Sequence, residues 1–232
     1  MKEIRRFYDN YSPETLPGYI KTLMDLEEKL VVDIVENLEE YRDVKRRGGR
    51  VLDCGCGSGS YYSLTRELDA LYLDLSYYQL KRLGRRYRLW SKRICGDILN
   101  LPFKDDTFDL ILCINVLEHV GDIPRALGEL HRVLKKKGVL VVVVVNRESV
   151  VKEEVFNDFK IYHRALSLED FKMEGFKIER YVSFYFLPSI FKLLPVSLLK
   201  YFIGRIYLKL EYWLRDLLGG RGQFLCVVLR KI

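Results

Sequence analysis

The chain has 232 residues, 49% of them apolar and 31% charged, and carries a formal net charge of +7. This length and balance suit one large domain, or a domain with an insertion, that buries a sizeable core, and they exclude a disordered chain. The basic excess is compatible with an anionic partner (RNA, a membrane surface or an acidic substrate) and equally with ordinary solvation.

Met1 runs straight into Lys2, Glu3, Arg5 and Arg6 with no apolar stretch after them, so the expected address is the cytoplasm, without a secretory signal. Cys54, Cys56, Cys95, Cys113 and Cys226 are odd in number and show no CxxC spacing. Four of them sit in apolar runs or tight turns, which predicts reduced structural thiols. His119, His131 and His163 have no ligand-like spacing to those thiols, so no metal site is expected. Asn, Gln and Met are scarce beside abundant Lys, Arg and Glu, a bias resembling that of heat-adapted proteins.

An aromatic, turn-rich segment runs from Phe7-Tyr8-Asp9-Asn10-Tyr11 to Pro17-Gly18-Tyr19. In residues 20–41, Leu23, Leu26, Leu30, Ile34 and Leu38 recur at three- and four-residue steps, predicting an amphipathic helix ahead of the core. A short strand is expected at 50–54, running into Gly55-Cys56-Gly57-Ser58-Gly59 and a helix to about residue 68. Then come a strand at 70–75, a basic helix to about 87, and strands at 93–96 and 108–114. A helix over 123–134 is expected to break at Gly138. The β-branched run 139–145 reads as a strand buried on both faces of a parallel sheet. Ser167, with Asp170 three residues on, reads as the N-cap of a short helix ending at Gly175. Residues 176–184 alternate like a strand, 185–219 form an apolar insertion containing Pro188 and Pro195, and 223–230 close the chain as a strand. Strands alternating with helices predict an α/β fold with right-handed crossovers. The expected organisation is a single domain: an N-terminal helical lid (1–44), a core (45–184), the insertion (185–219) and a last strand (220–232).

The segment Val51-Leu52-Asp53-Cys54-Gly55-Cys56-Gly57-Ser58-Gly59 carries the chemistry. Glycines let backbone turn sharply and approach a ligand with no Cβ in the way, and a following helix start would present free N–H groups. A dinucleotide site would need GxGxxG. The third glycine would then be residue 60 or 62, which are Ser60 and Tyr62. GxGxG therefore disfavours NAD and suits a ligand lacking a pyrophosphate.

With that loop in view, residues 45–182 resemble the class I S-adenosylmethionine (SAM)-dependent methyltransferases, in particular the group that includes the ubiquinone and menaquinone C-methyltransferases. Four landmarks carry the resemblance, in order: Asp53 to Gly59; Tyr72-Leu73-Asp74-Leu75-Ser76; Gly96-Asp97-Ile98 with Leu101-Pro102-Phe103; and Phe108-Asp109-Leu110 through Leu117-Glu118-His119-Val120. The stretch Pro-x-x-Leu-x-Glu-Leu-x-Arg-Val-Leu-Lys at 124–135 also resembles a helix of that group. The resemblance implies a Rossmann-like, seven-stranded, mostly parallel sheet with helices on both faces, an antiparallel last strand and a helical insertion before it. It implies SAM as cofactor. Asp53, Gly55, Cys56, Gly57 and Gly59 would face its methionine part, Asp74 and Leu75 its ribose, and Asp97 and Ile98 its adenine, with Asn115 at the end of the fourth strand.

A carboxylate at Asp74 can accept from both ribose hydroxyls, though it also reads as a helix N-cap, and Asp97 also reads as a turn residue. A base is needed only where the nucleophile must lose a proton. His119 is a candidate for that role, with helix-start packing as the alternative. Tyr11 and Tyr19 are expected to contact substrate, close over SAM or pack in a lid. In 198–218 an apolar stripe is expected at Leu199, Phe202, Ile203, Ile206, Leu210, Trp213, Leu214 and Leu217, with Lys200, Arg205, Lys209, Glu211 and Arg215 largely outside it. It lacks the run of about 20 apolar residues that a membrane span needs. Packing or a dimer face, a wall beside the SAM methyl, and an interfacial membrane anchor all remain open. The basic stretch Lys81 to Arg93 reads as a solvated face or an RNA contact. The expected activity is methyl transfer to a small-molecule or lipid-like acceptor. RNA methylation and a non-catalytic SAM-binding scaffold are the alternatives.

Overall fold

A computed structural model describes residues 2–150, 164–186 and 194–232. His163 and Pro188 lie outside these described residues.

Three helices precede the sheet: α1 (Lys2–Asn10), α2 (Gly18–Asn37) and α3 (Glu39–Arg46). The apolar period predicted over 20–41 is correct, and all five stripe residues are buried. The helix is interrupted at Leu38, which is extended; Glu39 and Glu40 then favour a fresh N-terminus. Strands β1 (Arg50–Cys54), β2 (Asp69–Asp74), β3 (Arg93–Cys95), β4 (Phe108–Ile114) and β5 (Leu134–Val145) alternate with α4 (Tyr62–Thr65), α5 (Tyr77–Tyr87) and α6 (Ile123–Val133). Strands β6 (Phe176–Phe184) and β7 (Phe224–Lys231) follow, separated by α7 (Val196–Phe202) and α8 (Leu208–Leu218).

The sheet order is β3-β2-β1-β4-β5-β7-β6, parallel from β3 to β5, with β7 antiparallel to both neighbours. The β-branched run of β5 divides between two cores: Val139, Val141 and Val143 join α2 on one face, and Leu140, Val142 and Val144 join α6 on the other. Strand order reverses between β1 and β4, so their C-terminal ends open a crevice where ligands of such sheets bind.

Four predicted elements differ. Strand β5 begins at Leu134, ahead of the expected 139 and of Gly138, and the short helix expected between Ser167 and Gly175 is a 3-10 turn, Leu168–Phe171. The helix after the glycine loop is a single turn, α4. Tyr41 donates to the Leu64 carbonyl at 2.7 Å, and Leu68 N turns to Thr65 O at 3.0 Å, so the helical ladder stops. A turn this short offers no helix terminus to a ligand, and the loop's own backbone must serve. The insertion buries a different stripe from the one expected. Leu199, Ile203, Tyr207 and Glu211 face the core, whereas Ile206, Leu210, Trp213 and Leu217 are 50%, 38%, 58% and 61% exposed. A π-helical turn, Ile203–Tyr207, is the cause: its extra residue shifts the helix phase, so a constant 3.6-residue period misassigns the second half. Glu211 is buried because it accepts from Tyr185 N at 2.7 Å and Phe186 N at 3.3 Å where the chain leaves β6.

Candidate active site

The glycine loop leaves β1 at the crevice and is held by β2. Gly55 N and Cys56 N donate to Leu73 O at 2.7 and 3.0 Å. Asp74 Oδ2 accepts from Gly57 N and Oδ1 from Ser76 N, both at 2.8 Å. Gly57 has φ +52°, and a Cβ built on it meets no atom within 4 Å, so its open side faces the crevice. Gly59 lies away from the crevice, where a Cβ would strike Leu83 at 2.5 Å and Tyr87 at 2.8 Å.

Two cavities meet at this loop. The smaller, about 110 Å³, is walled by Leu73, Asp74, Leu75, Gly96, Ile98 and Val120. The larger, about 250 Å³, lies between Gly55–Ser58 and Phe7 and Tyr8 of α1, Tyr11 just after it, and Ile20, Leu23 and Met24 of α2. Tyr8, Gly55, Gly57, Asn115 and His119 line both. The pair fits an adenosyl group with an amino-acid tail. An apolar slot beside the Asp74 carboxylate suits a nucleoside, and the uncovered backbone at Gly57 lies where the tail would pass.

Most of the expected site residues converge here: Gly55, Cys56, Gly57, Asp74, Leu75, Ile98, Asn115 and His119 all line a cavity. Asp53 and Asp97 line neither. Asp53 is buried behind the loop with Oδ2 unpartnered; burial, then the Asp74 charge, pushes it up to about 7. Asp97 Oδ1 accepts from Leu99 N at 2.9 Å, closing the turn after β3. Tyr11 reaches the larger cavity, whereas Tyr19 packs against the core. Among the described residues, the cover over the larger cavity comes from α1, Tyr11 and α2. Among the described residues of 185–219, Tyr185 lines the larger cavity, and α7 and α8 line neither.

Around the cavities, Glu27, Gln79 and Tyr8 carried no expected role, while Ser76 and Glu118 entered as members of the landmarks. Glu27, on α2, lines the larger cavity; its Oε1 accepts from Asn115 Nδ2 at 2.5 Å and Tyr61 OH at 3.1 Å. Burial pushes it up to about 7 against those hydrogen bonds. Glu118, 1% exposed, is pushed up to about 8 by burial and then by Glu27. Gln79 on α5 donates to the carbonyls of Tyr8 and Tyr11 at 2.7 and 2.9 Å, and Ser76 Oγ donates to Asp9 at 2.5 Å, fixing α1 over the site. An acid on an amphipathic helix gives no sequence signal of this kind. Tyr8 OH and His119 Nε2 are 3.0 Å apart where the cavities meet.

The sequence model of the methyltransferase domain family matches residues 52–142. A protein of unassigned function from Methanocaldococcus jannaschii is 47% identical over the whole of both chains. The demethylmenaquinone methyltransferase of Lactiplantibacillus plantarum is 38% identical over 103 residues, which span 39% of this chain and 43% of that protein. Among solved structures, a SAM-dependent methyltransferase of Thermotoga maritima, described as a possible histamine N-methyltransferase, is 20% identical. Its TM-score is 0.62, over 99% of this chain and 100% of that one. A geranyl diphosphate methyltransferase is 15% identical with a TM-score of 0.62, over 100% and 98%. Strand order, glycine loop and matched sequence agree: the chain belongs to the SAM-dependent methyltransferase family and takes SAM as its cofactor.

Proposed function

We propose that the protein methylates a small acceptor with an apolar body and a neutral or cationic reacting end. The larger cavity carries this reading: its outer wall is aromatic and aliphatic, its polar side chains include Glu27, Glu28 and Glu118, and the described residues lining it include no Lys or Arg. An acceptor bearing a phosphate beside the reacting atom would meet carboxylates there. The same lining disfavours RNA, whose phosphates need cationic partners.

When bound, SAM supplies an electrophilic methyl on a sulfonium. The protein's part is placement and exclusion of water. Asp74 holds the nucleoside end, the backbone at Gly57 the amino-acid tail, and Phe7, Tyr8 and Tyr11 close the far side of the larger cavity. Burial, then Glu118, raises the Tyr8 hydroxyl, so it stays protonated. With that hydroxyl donating to His119 Nε2, His119 positions Tyr8 where the acceptor enters. Release of S-adenosylhomocysteine, measured with cell metabolites fractionated by charge, tests the reading. Turnover is expected with neutral and cationic fractions, and turnover confined to anionic fractions would refute it.

The exposed stripe of α7 and α8 favours one addition. Ile206, Leu210, Trp213 and Leu217 lie on one side of the insertion next to Arg205 and Lys209, as in helices that rest on anionic lipid. We propose this face as a peripheral lipid contact through which a hydrophobic acceptor is reached. Among the described residues, no helix is long and apolar enough to cross a membrane.

A further inference from the structure

Helix α1 divides its residues at helical spacing. Ile4, Phe7 and Tyr8 turn inward and line the two cavities. Lys2, Arg5, Arg6, Asp9 and Asn10 line an outer cleft of about 520 Å³ against Tyr78 of α5. Helix α5 continues that surface: its Gln79, Leu80, Leu83 and Gly84 are buried, and Tyr77, Tyr78, Lys81 and Arg85 are exposed. Arg82 closes the seam by donating to the Tyr11 carbonyl. Elsewhere the chain pairs its cations, Arg132 with Asp105 and Glu129, Lys135 with Asp109, Lys231 with Asp106. Lys2, Arg5, Arg6, Lys81 and Arg85 have no ion-pair partner among the described residues. Asp9, the carboxylate that lines the cleft, is already taken by Ser76 Oγ. Unpaired cations gathered on two touching helices repel one another, and an anion with several charged oxygens relieves that repulsion.

We propose that this cationic face, centred on the cleft between α1 and α5, binds the phosphate groups of anionic lipid headgroups. It rests on the reading of the protein as one that meets a bilayer, and deepens it with a second, electrostatic contact. Interfacial binding grows with buried apolar area and with attraction to anionic lipid, and stable attachment takes two such signals. The apolar stripe of the insertion and this cleft border one rim. Residues 11–18 join them: Arg82 of α5 holds Tyr11, which lines the larger cavity, and Val196 of α7 lies 3.5 Å from where a Cβ of Gly18 would sit. Val196, Leu198 and Tyr201 of α7 are exposed there. Tyr77 and Tyr78, 56% and 54% exposed, suit the headgroup level where aromatic rings collect. RNA fits the same cations less well, because a strand running from them to the reacting methyl would meet Glu27, Glu28 and Glu118 in the larger cavity. A bilayer needs only the outer face, and an apolar acceptor leaving it enters a cavity walled by Ile20, Leu23 and Met24.

Co-sedimentation of the full chain with phosphatidylglycerol–phosphatidylcholine vesicles, beside phosphatidylcholine alone, tests this. The wild type is expected on the anionic vesicles, less so as salt rises, and not on the neutral ones. Arg5→Gln with Arg6→Gln, and Lys81→Gln with Arg85→Gln, should each weaken partitioning about 10- to 30-fold. Arg5→Lys with Arg6→Lys keeps the charge and should retain it. These side chains are exposed, so melting temperature and S-adenosylhomocysteine affinity in solution should match the wild type in all three pairs. Wild-type partitioning in either charge-removing pair overturns the cleft; a loss in Trp213→Glu in the same series then leaves the insertion's lipid contact standing. No sedimentation of the wild type on anionic vesicles overturns both. Calorimetry with inorganic phosphate and fluorescence anisotropy with a uridine oligonucleotide cover the other anions. Binding of either that both charge-removing pairs abolish, with vesicle partitioning unaffected, assigns the face to that anion and overturns the lipid.

Discussion

Asp74 is tied to the glycine loop as well as to the ligand side of the crevice. Its two oxygens hold the N–H groups of Gly57 and Ser76, and each keeps a further lone pair for a ribose hydroxyl. Asp74→Ala should therefore loosen the loop and remove ligand contacts together. Charged hydrogen bonds of about 1.5–3 kcal/mol predict roughly 10- to 100-fold weaker binding of S-adenosylhomocysteine, measured by calorimetry on a variant shown to be folded. An unchanged dissociation constant would confine Asp74 to loop support. Of the residues that line the candidate site, Asp74, Leu75 and Gly57 were legible because strand ends and glycines announce themselves in sequence. Glu27 and Gln79 were not, because their roles arise where a helix distant in sequence folds over the loop.

At the scale of elements, the sheet was legible almost strand by strand, since alternation and β-branched runs follow from burial on one or both faces. Helices failed where side chains intercept the ladder, as Tyr41 does at Leu64 in α4, or where the pitch changes, as between α7 and α8. The pitch change leaves Trp213 58% exposed and Glu211 buried. Trp213→Glu should abolish co-sedimentation with vesicles rich in anionic lipid while leaving the melting temperature within a few degrees, because the face it removes is already in solvent. Co-sedimentation equal to wild type would remove the lipid contact, and a fall in sedimentation mass on substitution would mark the stripe as a dimer face.

For the whole molecule, the raised carboxyls set the pH dependence of folding. Asp53, Glu27 and Glu118, pushed up to about 7, 7 and 8 by burial, bind protons in the folded chain that an unfolded chain has already lost. Each therefore costs the folded state about 1.4 kcal/mol per pH unit from its unfolded value near 4 up to its folded one, and nothing further above that. Glu129 works in the opposite direction: its hydrogen bonds to Arg132 hold it below the usual range, so its contribution is lost as pH falls through that lower value. The ligand-free protein should melt at a higher temperature at about pH 5.5 than at about pH 8, by calorimetric scan. A melting temperature that rises between those values would contradict the burial of these acids.

No residue of helix α1 is fully enclosed, yet the helix and Tyr11 after it roof the larger cavity, held by Gln79, Ser76, Arg82 and His119. Where spent cofactor must leave past this roof, those bonds time its exit. Gln79→Ala, which cuts two of those bonds, should speed dissociation of S-adenosylhomocysteine about tenfold in stopped-flow displacement while changing its association rate little. If departure of that product limits turnover, weakening the latch makes a faster enzyme, and the tightness of this docking then sets how long each molecule of product dwells before the next methyl can be delivered.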